Sequence, residues 1–239
     1  MSSIPPRNSR SETVPRHIDP ARIGRWNRST RRASWPLRRL WLDIETEGLA
    51  NVPTSGPVVL AANHLSFLDS LVLMYETPRR VTMLGKAEYL DSPVTGRLFP
   101  AAGMIPVDRT GRGVAWSLRQ ALDRLADGEA IGVFPEGTRS RNGALAEGHP
   151  GVAHLALRSG APIIPVGIIG SDRAQPVDAR LPRFGAPITA RFGAPLDLGR
   201  WGGAQPPTIT TRPTTASPPR ATAALSDQRV DTKPKKPTQ

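Results

Sequence analysis

Short, unbroken apolar runs set the tightest limit on what this chain can fold into. PVVLAA (57–62), AIGVF (130–134) and PIIPVGII (162–169) each stop at Asn, Pro or Gly. Runs of this length suit strands buried on both faces, the situation of parallel strands covered by helices. They fall well short of the ~18 apolar residues that a membrane-crossing helix needs, so no transmembrane helix is expected. Helical spacing lies between the runs. Leu118, Ala121, Leu122 and Leu125 recur on one face, closed by Asp127-Gly128, and Gly151 to Ser159 reads as a second helix stopped by Gly160. LWLDIET (40–46), VTML (81–84), MIPV (104–107) and ITARFGAPL (188–196) add strand candidates. Strands alternating with helices predict an α/β fold, a single layered domain with a largely parallel mixed sheet flanked by helices.

Not all of the 239 residues share that pattern. With 26 Pro and 22 Gly, part of the chain is expected to stay unpacked. Residues 1–40 form a basic Arg/Trp-rich arm, with eight Arg from Arg16 to Arg39 against one acid, Asp19. Residues 41–202 carry the regular periodicity. Residues 203–239 are Pro/Thr-rich and read as a disordered tail. The formal charge of +12 draws the chain to polyanions. The arm reads equally as an interfacial helix on an anionic membrane surface or as a solvated extension. A basic nucleic-acid-binding protein is the alternative of another class, but no nucleic-acid partner is expected, because the basic residues sit at the termini without a reading motif and the middle has few aromatics to stack on bases. There is no Cys, which excludes thiol catalysis and thiolate metal sites. The N-terminus shows no apolar signal segment, so the expected location is peripheral, on the cytoplasmic face of the cell membrane. The Arg/Ala/Pro/Gly bias suggests a GC-rich bacterial genome.

In open α/β sheets functional residues gather beyond the carboxyl ends of strands. Two polar clusters take that position. Asn63-His64 follows PVVLAA, and Asp69 lies five residues past His64. A carboxylate on one ring nitrogen fixes the tautomer of a histidine and lets the other nitrogen accept a proton. On spacing alone, a structural His–Asp pair at a helix N-terminus explains the two residues equally well. Ser66 lies between them, but no G-x-S-x-G elbow supports a nucleophile there. His-x4-Asp also suits a metal-dependent hydrolase, yet no dense ligand cluster accompanies it, so no metal is expected. The second cluster, FPEGTRS (134–140), follows AIGVF. Gly137 admits close backbone approach, Thr138 offers a hydroxyl, and Arg139 a planar fork suited to phosphate. Glu136 would position Arg139 or meet a substrate hydroxyl. Alone, FPEGTRS is ordinary turn chemistry.

Together the clusters resemble the glycerolipid acyltransferases, the group containing 1-acyl-glycerol-3-phosphate acyltransferase. NHLSFLD matches their NHxxxxD block and FPEGTRS their phosphate-binding block. KAEYLDSPVTGRLFPAAGMIPVDR (86–109) looks like their second block, and APIIPVGI (161–168) like their fourth. The resemblance covers roughly residues 44 to 198 and implies a glycerol-3-phosphate acyltransferase-like fold. It implies that His64 is a general base oriented by Asp69, acting on the free hydroxyl of lysophosphatidic acid to give phosphatidic acid. Glycerol-3-phosphate or another lysophospholipid is the alternative acceptor. Acyl-CoA or acyl-carrier protein would be the co-substrate, with no cofactor. Arg109, Glu136, Gly137, Thr138 and Arg139 would hold the acceptor phosphate and glycerol, with Lys86 a weaker candidate. The sequence departs from the family at Glu147, where members often carry a cation. It departs again after RFGAPLDL, where a closing helix is expected and the Pro/Thr-rich tail stands instead.

Overall fold

The structure, a computed structural model, describes residues 41–91, 104–108, 112–146, 148–179, 181–196 and 218–228. The basic arm 1–40, Arg109, Glu147 and most of the 203–239 tail lie outside them. Among the described residues seven strands form one sheet: β1 Leu42–Glu47, β2 Val58–Ala62, β3 Val81–Lys86, β4 Ile105–Val107, β5 Ala130–Val133, β6 Ile163–Ile169 and β7 Ala186–Phe192. Their order is β1-β7-β6-β2-β5-β3-β4. The five strands from β6 to β4 run parallel, β7 is antiparallel to β6, and β1 is parallel to β7. This is the α/β fold with a largely parallel mixed sheet that the sequence predicts.

β2 lies in the middle of the sheet, and all five of its residues are buried. That position explains its unbroken apolar run, since neither face meets water. Val58, Leu60 and Ala62 join the core beneath helix α1 (Leu68–Glu76), with Leu68, Val72 and Leu73. Val59 and Ala61 join the core on the other face, under α2 (Arg112–Ala126) and α3 (Gly151–Ser159), with Ala121, Leu125, Val152 and Leu155. The residues of α2 that recur at helical spacing are therefore its core face. β1, at the sheet edge, alternates instead. Leu42 is buried while Asp43, Glu45 and Glu47 are exposed, and charge on an edge strand discourages pairing with another chain.

The amino ends of the strands are held by arginines. Arg79 donates to the carbonyls of Pro53 and Gly56 and to that of Gly128. Glu129 accepts from Arg124 and Thr82 and faces Arg80 at 3.6 Å. Burial lowers the pKa of both Arg79 and Arg80, and Glu129 opposes that shift.

One expectation fails. The 203–239 tail, expected to be disordered and to lack a closing helix, contains one at Pro218–Ser226. A short helix, α4 (Ser171–Ala174), precedes it in the chain, so the closing helix is α5. α5 packs on β6 and β2, on the face that also carries α2 and α3. Thr222, buried, donates to the Ala61 carbonyl, and Arg191 of β7 reaches the Leu225 carbonyl and Asp227. The close approach is possible because β6 presents Gly167 there. A Cβ at that position would stand 2.5 Å from the Leu225 carbonyl carbon. Backbone cannot move aside as a flexible side chain can. We therefore expect Gly167→Val to destabilise the fold by about 1–3 kcal/mol, read as a lower melting temperature by circular dichroism. An unchanged melting temperature would show that α5 does not lie over β6.

Candidate active site

β2 and β5 are parallel neighbours, so the loops leaving them open at the same end of the sheet. The β2 loop carries His64. The β5 loop carries Phe134 to Ser140. Register brings the two sequence clusters together, as expected for the carboxyl end of an open sheet.

His64 is fixed from four directions. Its Nδ1 lies 3.0 Å from Asp69 Oδ2. The same oxygen accepts the backbone N–H groups of Leu65 and Ser66, both at 2.7 Å. An oxygen already accepting two N–H groups serves as acceptor for the ring as well, so the shared proton belongs to Nδ1. Nε2 then keeps its lone pair. Asp69 is fully buried in the first turn of α1, where the helix N-terminus favours a negative charge. The imidazole stacks on Phe134, with ring centroids 3.9 Å apart and planes 7° from parallel. The His64 N–H donates to Glu136 Oε1 at 3.0 Å, and the His64 carbonyl accepts the Ser140 N–H at 2.7 Å.

Glu136 differs from expectation. It does not line the cavity beside His64 but is 1% exposed behind the loop. Its second oxygen accepts the Ala146 N–H at 3.0 Å. A carboxylate buried among backbone donors braces the loop, and it would repel a phosphate rather than hold one. Gly137 makes the turn that allows this. Its φ of 65° is left-handed, and its N–H donates to the Phe134 carbonyl at 2.9 Å.

Asn63, beside His64 in the sequence, is structural glue. Its side chain pairs with Ile168 of β6 in both directions, donating at 2.8 Å and accepting at 2.7 Å. It also donates to Gln228 at 2.6 Å, and Gln228 donates onward to the Gly143 carbonyl at 2.7 Å. Gln228, just past α5, thus ties the β2 end to the loop after FPEGTRS. Nothing in the Pro/Thr-rich composition around it signals this. Ser66 is buried and donates to the Gln175 carbonyl at 2.8 Å, so its hydroxyl is committed to structure.

In front of His64 lies a cavity of about 630 Å³. Its body is apolar, with Leu71, Met74, Met83, Met104, Leu118 and Leu155 among the lining residues. Its lining also brings together Lys86, Gly137, Thr138 and Arg139 of the sequence candidates, and adds Arg141 and His149, which sequence reading missed. Arg139 also donates to the Val177 carbonyl at 3.3 Å. Among the described residues no cluster of three or more His, Asp or Glu is arranged to hold a metal ion, and no helix is long and apolar enough to cross a membrane. The arrangement sets a histidine–carboxylate pair beside a largely apolar slot that cations also line.

Several known proteins are similar to this chain. Human 1-acyl-sn-glycerol-3-phosphate acyltransferase alpha is 35% identical over 125 residues, covering 52% of this chain and 44% of that protein. The 1-acyl-sn-glycerol-3-phosphate acyltransferase of Borreliella burgdorferi is 32% identical over 131 residues, covering 53% of this chain and 52% of its own. The chain thus spans about half the length of these curated relatives. Among solved structures, the 1-acyl-sn-glycerophosphate (LPA) acyltransferase PlsC from Thermotoga maritima matches with a TM-score of 0.58 at 25% identity, covering 77% of this chain and 70% of that one. A family model described as Acyltransferase matches residues 43–169. That stretch is more than half of the chain and holds His64, Asp69 and the whole of FPEGTRS, so the chain belongs to the acyltransferase family.

Proposed function

We propose that this protein transfers a fatty acyl group from a thioester donor, acyl-CoA or acyl-carrier protein, to the free hydroxyl of lysophosphatidate, giving phosphatidate. The observation that carries this reading is the His64–Asp69 pair, 3.0 Å apart, at the mouth of an apolar cavity with a cationic rim. The names of the relatives support the acceptor, since both act on 1-acyl-sn-glycerol-3-phosphate. Glycerol-3-phosphate is the second acceptor to test, because it presents the same phosphate and hydroxyl.

The geometry at His64 supports the following steps. His64 Nε2 takes the proton of the acceptor hydroxyl as its oxygen attacks the thioester carbonyl. Asp69 stabilises the imidazolium that forms and keeps the ring in its attacking tautomer. When the tetrahedral species collapses, the C–S bond breaks and the thiolate leaves, taking the proton from His64. The exchange balances without an enzyme nucleophile or any further cofactor. Lys86 and Arg139 hold the acceptor phosphate, with Thr138 and Gly137 beside it and Arg109 as a further cation. Glu136 acts through the loop, as a positioning residue. The apolar cavity takes an acyl chain. The protein works peripherally, at an anionic membrane surface on the cytoplasmic side.

His64→Ala is expected to lower kcat by about 10²- to 10⁴-fold with an unchanged circular dichroism spectrum. Wild-type turnover by the folded variant in a labelled acyl-CoA and lysophosphatidate assay would overturn the assignment. Chelator should leave the rate unaltered. Losing one charge-assisted contact costs about 1.5–3 kcal/mol, so Lys86→Ala and Arg139→Ala should each raise the KM for lysophosphatidate by about tenfold or more. A normal KM in both would remove them from the phosphate site. Gln228→Ala should lower kcat several-fold and leave KM for either substrate close to wild type. A variant with unchanged kcat would show that the α5 clasp does not set the geometry at His64.

A further inference from the structure

The sheet is not level at the end that carries the site. Ala62, the last residue of β2, pairs with Val166, and β6 continues three residues beyond it to Ile169. Ile169 pairs with Thr189, and β7 begins three residues further out, at Ala186, beside Leu42 of β1. At ~3.3 Å per residue the β1–β7 edge overhangs the end of β2 by about 20 Å. β7 is two strands from β2, about 10 Å across the sheet at ~4.8 Å per strand.

The most exposed large apolar side chains among the described residues cap this overhang. Leu181 is 72% exposed and Phe184 69%, and Trp41 beside them is 37% exposed. The Trp41 and Phe184 rings lie 6.4 Å apart. The backbone beneath them is tied down. Trp41 Nε1 donates to the Pro182 carbonyl, Gly185 N–H to the Trp41 carbonyl, and Arg183 N–H to the Ala174 carbonyl. Cations border the patch in sequence, Arg38 and Arg39 before Trp41, Arg180 and the exposed Arg183 around Leu181, against the two nearest acids, Asp43 and Asp178. The 175–185 segment also reaches the site, since Val177 lines the cavity.

We propose that Trp41, Leu181 and Phe184 form a membrane-docking wedge that seats this end of the sheet on an anionic bilayer, with the cavity mouth facing the lipid. Held apolar tips with an indole at the boundary and the exposed Arg183 beside them match the chemistry of a headgroup layer over acyl chains. A single exposed leucine needs no explanation, but three large apolar residues projecting together at the active end do. The proposal rests on the lipid-acceptor reading only for its purpose, because docking is measurable without turnover.

The test is co-sedimentation of the full chain with vesicles of phosphatidylglycerol and phosphatidylcholine, and with phosphatidylcholine alone. Wild type should bind the anionic vesicles in a salt-sensitive way, and Leu181→Ser/Phe184→Ser should bind about tenfold or more weakly. A chain lacking residues 1–40 should keep a binding step that the double substitution abolishes. The double variant should also lose transfer to vesicle-borne lysophosphatidate and keep it on a short-chain, monomeric acceptor. Equal vesicle binding by wild type and the double variant overturns the wedge, as does no binding by wild type. Loss of a dimer in the variant, without loss of vesicle binding, would assign the patch to a second copy of the chain. Altered docking without any acyl transfer would keep the wedge and sink the proposed activity, and the reverse result would do the opposite.

Discussion

One carboxylate oxygen organises this end of the molecule. Asp69 Oδ2 receives the Leu65 and Ser66 N–H groups and the His64 ring. A carboxylate with no exposure to water is costly unless donors replace its hydration. Two of the three donors are backbone groups at the turn into α1, which has no side-chain cap of its own at Phe67. The interaction that starts the helix is thus the one that orients the histidine. Local folding and site geometry cannot be separated there, and the five-residue spacing follows from a chain that must turn from a strand into a helix.

The sheet supplies what a local turn cannot. β2, β5 and β6 are adjacent and parallel, so three loops open together. Each is tied to its neighbours by a polar side chain. Asn63 joins β2 to β6, Glu136 joins the β5 loop to the His64 backbone, and Gln228 returns from α5 to join both sides. Such groups are stabilising only when their partners are present. Apolar layers on both faces hold the strands, and at the rim the cavity passes from apolar walls to Lys86 and Arg139. The proposed acceptor, a lipid with an anionic head, would need that change of character.

Much of this was written openly in the chain. β2, β5 and β6 are legible because strands buried on both faces need no alternation, and α2 because its core face recurs at helical spacing. His64 and Asp69 are legible because the spacing is local. Glu136 is legible as part of the loop, but its burial is not. In a Pro-Glu-Gly-Thr turn a carboxylate looks like surface chemistry, and only the tertiary fold reveals the backbone donors that bury it. α5 was missed for a different reason. Composition averaged over 203–239 is dominated by Pro and Thr, yet ATAALS (221–226) contains neither Pro nor Gly. Its small residues are poor as a core signal, and it is Gly167 of β6 that lets the helix come so close at Leu225. Asn63 and Gln228 carry no local signal for a contact across 165 residues of sequence.

The account stands on the tautomer of His64, with the proton on Nδ1 and the lone pair on Nε2. Nitrogen-15 NMR of histidine-labelled protein measures this directly, at alkaline pH where the imidazole is neutral, with His64→Gln to assign the signal among the four histidines. The account predicts that His64 is found in the Nδ1–H form in wild type and loses that preference in Asp69→Ala. A His64 held in the Nε2–H form would mean that no lone pair meets the acceptor hydroxyl, and it would contradict the proposed role of the pair.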